Sequence, residues 1–177
     1  MTTKRPDPVS RDPVAPATVS RDPVATADAE ARALARGLMQ AHHAALAYVD
    51  AESQTPGISR IAFGLDADGV PMALVSGLAP HTAALRANPA CAVMLGEPGE
   101  KGDPLTHPRL MIRAMAAFVA GDDPQRPGLR AHWLKGHPKA TLYIDLPDFA
   151  FVRLLPQSAL LNGGFGKAFR FTAEDLR

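Results

Sequence analysis

Residues 1–27 show no hydrophobic rhythm: five prolines, seven charges and no aromatic, Leu or Ile offer too little apolar surface to offset the entropy of ordering. This predicts a disordered Pro-rich tail ahead of one folded domain over 28–177. Behind the acids Asp28 and Glu30, apolar residues fall at Leu34, Leu38, Ala41 and Ala45, a spacing that predicts a helix over 27–41. The period then shortens. Residues 45–49, 58–65 and 70–76 are strand-length segments, the last two joined by the turn signal Asp66-Ala67-Asp68-Gly69. Pro80 stands at a first helical position and Asn88-Pro89 closes a short helix, after which residues 91–95 return to strand. The apolar run 110–120, interrupted only by Arg113, predicts a strand buried on both faces or bent round a barrel. A helix over 124–139 follows, then strands at 149–155 and 158–161 before the glycine-rich residues 162–166. Six or seven strands with early hairpin-length connections predict an α+β protein built on a closed or partly closed antiparallel barrel with flanking helices.

Composition narrows the function classes. Removing the tail leaves 15 charges of each sign over residues 28–177, so the body is neutral and lacks the basic footprint of a nucleic-acid binder. No apolar run approaches a membrane span and no signal-peptide pattern opens the chain, which predicts a cytoplasmic protein. The lone Cys91 makes neither an internal disulfide nor a thiolate metal cluster and reads as a small buried hydrophobe. The tail carries Ser-Arg-Asp-Pro-Val-Ala twice, at 10–15 and 20–25, too few copies for a solenoid.

Three segments could carry chemistry. Between Val75 and Thr82 a strand runs through Ser76 and Gly77 into a helix start bearing His81 and Thr82, in outline a phosphate cradle, though an ordinary Ser/Thr helix cap gives the same pattern. Arg60, between Ser59 and Ile61 in an apolar strand, needs water or an anion; Arg109 raises the same question. The stretch 161–168 holds Gly163, Gly164 and Gly166 in a spacing that is neither a dinucleotide fingerprint nor a P-loop. Neither His42-His43 nor His132 with His137 has the spacing of a shared metal-ligand set, and no nucleophile elbow occurs.

In order, these pieces resemble the pyridoxamine 5′-phosphate oxidase-like FMN-binding split barrels, nearest their haem-utilisation branch. The carrying features are His42-His43-Ala44 before the first strand, the hairpin 59–76, and Leu78-Ala79-Pro80-His81-Thr82 with Asn88-Pro89. Gly102-Asp103-Pro104-Leu105, Arg109-Leu110, His137-Pro138-Lys139-Ala140, Asp148-Phe149 and Gly163-Gly164-Phe165-Gly166-Lys167-Ala168 follow. The resemblance implies a homodimer with FMN at the subunit interface. It also implies contacts from Ser59, Arg60, Ile61, Ser76, His81 and Thr82, with Arg109 approaching from the partner. FMN would carry the redox work on an unidentified small molecule, the protein supplying anchorage and a dry face. A carrier or sensor that holds FMN or haem without turnover is the alternative, and a ligand-free dimerising module a third. The Arg-x-His ending of pyridoxamine 5′-phosphate oxidases is missing, and the chain stops at Arg177 without the C-terminal domain of longer haem-utilisation relatives.

Overall fold

The computed structural model describes residues 24–176; the repeat-bearing segment 1–23 lies outside the described residues. Eight strands run β1 (Ala25–Thr26), β2 (His43–Val49), β3 (Pro56–Leu65), β4 (Pro71–Ser76), β5 (Ala90–Leu95), β6 (Arg109–Phe118), β7 (Phe149–Asn162) and β8 (Ala168–Thr172). Helices α1 (Ala29–Leu38), α2 (Pro80–Ala87) and α3 (Arg126–Gly136) interrupt them. The neighbour order β7-β4-β3-β2-β5-β6, with β6 also pairing β7, closes an antiparallel six-stranded barrel; β8 extends from β7, and β1 joins β8 in parallel. No described helix is long and apolar enough to cross a membrane.

The β3–β4 hairpin turns where predicted. Asp66 Oδ1 accepts from the backbone N–H groups of Asp68 (3.0 Å) and Val70 (2.9 Å), and Gly69 takes φ +80°, which favours glycine. Arg153 on β7 donates from Nε to Asp66 Oδ2 at 3.0 Å, so a carboxylate only 4% exposed has partners on both oxygens.

Helix α1 is shorter than expected: Asp28 accepts from Ala31 N (2.8 Å) as its N-cap, and the helix ends at Leu38. Its buried Ala31 and Ala35 join the barrel core of Leu46, Phe63, Val93, Leu110, Ile112 and Leu161. The ordered body also starts ahead of residue 28. Ala25 and Thr26 pair with Phe169 and Arg170, and Ala27 is 5% exposed, because the free edge of β8 offers hydrogen bonds that apolarity alone does not announce.

Strand β6 is not buried on both faces. Leu110, Ile112 and Ala114 point inward while Arg113 and Met115 are exposed, so the apolar run serves two different surfaces. The two strands expected over 149–161 are one strand of 14 residues. Arg113 pairs with Ser158 but Ala114 with Pro156, so Gln157 is an extra residue that bends β7 round the barrel. Pro156, lacking an N–H, is tolerated beside such a bulge.

A second apolar cluster covers one outer wall: Leu129 and Trp133 of α3 pack on Met72, Leu74 and Phe151 of β4 and β7. At the barrel end near α2, the Tyr48 ring lies over its cross-strand partner Gly57, where a Cβ would meet it at 2.6 Å. The same ring stands 6.2 Å from that of His81.

Replacing Asp66 by Ala removes the turn's acceptor and strands Arg153. Urea denaturation should show a loss of about 2–3 kcal/mol with an unchanged m-value.

Candidate functional site

Strand parity divides the residues expected to act together. Ile61 (5% exposed) and Phe63 (0%) point into the core, and Ser59 shares their face, its Oγ 3.4 Å from Tyr48 Oη. Arg60 points outward with its side chain 77% exposed. The Ile61 side chain is therefore core and has no access to a ligand on the Arg60 side.

The corner between β4 and α2 brings Ser76, His81 and Thr82 together, but their hydroxyls are engaged. Ser76 Oγ donates to Asp148 Oδ2 at 2.7 Å and accepts from Leu78 N at 3.1 Å. Thr82, 2% exposed, donates from Oγ1 to the Ser76 carbonyl at 2.6 Å. Pro80 supplies no N–H to the first turn, and the Asp148 carboxylate repels any second anion there. These bonds tie the turn between β4 and α2 together, while Ala79 at the helix N-cap makes no side-chain capping bond. Burial moves the half-buried His81 imidazole below its ordinary pKa. Arg109, at the start of β6, donates from Nη1 to the Leu105 carbonyl at 2.9 Å and holds the turn at Pro104–Thr106.

What the structure does assemble lies on the outer wall of β2, β5 and β6. Register places Arg60, Ala45, Met94, Met111 and Leu160 in one row across that wall, and Ile58, Ala47, Ala92, Arg113 and Ser158 in the next. Large apolar side chains stand open there: Ile58 is 77% exposed and Met94 47%. At the edge of this wall His43 Nε2 lies 3.1 Å from Glu97 Oε1, and the Arg60 guanidinium 4.0 Å from the same oxygen. Neither His43 nor Glu97 is legible as a pair in the sequence, since 54 residues separate them. Beside this cluster, residues 56–61 of β3 pair with β2 alone, because β4 begins to pair only at Ala62. No group of three or more His, Cys, Asp or Glu among the described residues could hold a bare metal ion.

No protein-family model matches the chain. A solved structure 47% identical to it superposes with a TM-score of 0.77, covering 85% of this chain and 97% of its own. HutZ, the heme storage protein of Vibrio cholerae, is 27% identical with a TM-score of 0.62 over 73% of this chain and 91% of HutZ. The non-canonical heme oxygenase HOZ of Arabidopsis thaliana, a chloroplastic protein, is 34% identical over 119 residues, which are 67% of this chain and 35% of HOZ. The chain thus spans about a third of that curated relative. Together with the closed six-stranded barrel, these likenesses bear out the resemblance to the pyridoxamine 5′-phosphate oxidase-like split barrels and their haem-utilisation branch.

Two outcomes check this corner. Thr82→Val, which leaves the Ser76 carbonyl with Ala79 N as its remaining partner, should cost about 1–2 kcal/mol in chemical denaturation. The His81 ring should titrate below 6.5 when followed by NMR. Its folded pKa being the lower one, its share of stability is complete above the unfolded value and is lost as pH falls through the folded value.

Proposed function

We propose that this protein binds haem on the bare outer wall of its barrel, with a second copy of the chain closing over it. The observation that carries the reading is an exposed apolar wall bordered by His43 and Arg60, both beside Glu97. A porphyrin needs a flat apolar surface for its ring, a cation for a propionate and a ligand for its iron. Here Met94, Met111 and Leu160 offer the surface, Arg60 the cation and His43 the imidazole, whose orientation Glu97 fixes. Bound haem supplies an iron centre; the chain itself supplies ligation, a counter-charge and exclusion of water. An apolar wall of this kind is also the surface a second protomer covers, consistent with the homodimer that the family resemblance implies. Names of the relatives, a heme storage protein and a heme oxygenase, support the ligand class. The lone Cys91, without a disulfide partner, suits a reducing compartment such as the cytoplasm.

An FMN-dependent oxidoreductase of small molecules is the second reading. The one-sided edge of β3 at residues 56–61 favours it, since unpaired backbone there could meet a flavin ring while Arg60 takes the phosphate. The Ser76 and Thr82 hydroxyls are engaged within the chain, with Asp148 and the Ser76 carbonyl, so Arg60 carries this reading.

Titrating the protein with haemin should give a saturable Soret band. His43→Ala should shift or abolish it, and Arg60→Ala should weaken binding about tenfold. Absence of any Soret change, with saturable FMN fluorescence quenching that Arg60→Ala relieves, overturns the haem reading in favour of flavin.

A further inference from the structure

We infer a second ligand site, for an aromatic carboxylate, in the cleft between the last turn of α2, the end of β6 and the first turn of α3, independent of the haem reading. Two cations border this cleft, Arg86 and Arg126. The Arg86 guanidinium lies 4.0 Å above the centre of the Phe118 ring, and that of Arg126 5.7 Å from the centre of Phe151. A cation held against a ring face in this way keeps its N–H donors available. Arg126 spends one donor on the Phe149 carbonyl at 3.3 Å. Among the described residues neither arginine forms an ion pair.

The carboxylate that borders the cleft is already committed. Asp145 receives Arg130 Nε at 2.8 Å on one oxygen and Nη2 at 2.6 Å on the other. Both guanidiniums thus border the cleft with donors in hand: neither forms a salt bridge, and Asp145, which Arg126 influences through its charge, gives its oxygens to Arg130. Apolar side chains form part of the wall between them: Val119, Leu146 and Phe149 line it, and Leu146 is 47% exposed. Oriented guanidinium forks match the two oxygens of a carboxylate, and an apolar wall matches the flat body behind it. Inorganic phosphate would use the donors but leave the wall in water. A neutral arene would cover the wall but leave the donors unmatched. An aromatic carboxylate uses both, and none of His43, Arg60 and Glu97 lines this cleft.

The test uses the whole protein and 2-naphthoate, followed by calorimetry and by NMR shift mapping. Saturable binding is expected, with shifts at Phe118, Leu146 and Phe149. The neutral 2-naphthalenemethanol and inorganic phosphate should each bind at least about tenfold more weakly. Arg86→Gln, an exposed position whose replacement should leave the circular dichroism unchanged, should weaken 2-naphthoate about tenfold, and Arg60→Gln should leave it unaltered. No saturable binding, equal binding of the alcohol, or full affinity in Arg86→Gln overturns the site. Loss on Arg60→Gln places the ligand at the haem wall instead and overturns it equally.

Discussion

The pairing of β6 with β7 is the contact on which the architecture rests. It turns an open sheet into a ring, and it does so over the full length of β6, from Arg109 opposite Asn162 to Phe118 opposite Val152. Strand β7 then serves three neighbours along its length, β4 at its start, β6 through its middle and end, and β8 at its end. One straight strand could not follow all three. The extra residue at Gln157 supplies the bend, so one backbone irregularity governs whether the barrel closes.

Closure creates two outer walls with different fates. On the β4–β7 side, α3 lays Trp133 and Leu129 over the sheet and seals it. On the β2–β5–β6 side no described helix does the same, and large apolar residues stay in contact with water. The charges at the border of that bare wall, Arg60, His43 and Glu97, come from β3, β2 and the segment after β5, joined only because those strands are neighbours in the ring. The covered wall, by contrast, rests mainly on the apolar packing of α3.

Much of the fold was legible because its signals are local. The Asp66–Gly69 turn, Pro80 at the start of α2, and the strand-length apolar segments of β3 and β4 each follow from neighbouring residues. Strand β8 was missed because the glycines before it read as a terminal loop, and β1 because two residues carry no period at all. The apolar run of β6 left two readings open, and the one bent round a barrel holds, because a strand with a core on one side and a bare wall on the other has the composition of a strand buried twice. The site was less legible. Ser59, Arg60 and Ile61 are adjacent in sequence, yet alternation sends Arg60 to the opposite surface from the other two. Ser76 and Thr82 meet through the Ser76 carbonyl, but the hydroxyl partner of Ser76, Asp148, lies 72 residues away and no spacing rule announces it.

The aromatic ring seated on a glycine beside α2 has a wider reach than its size suggests. Tyr48 can lie against Gly57 only because that residue presents bare backbone, and the same ring stands edge-on to His81. A single methyl at position 57 would lift the phenol toward the imidazole and press on the helix whose first turn is tied to β4. Geometry at one end of the barrel is thereby set by a hydrogen atom where other residues carry carbon, and drift at that position would be felt two elements away.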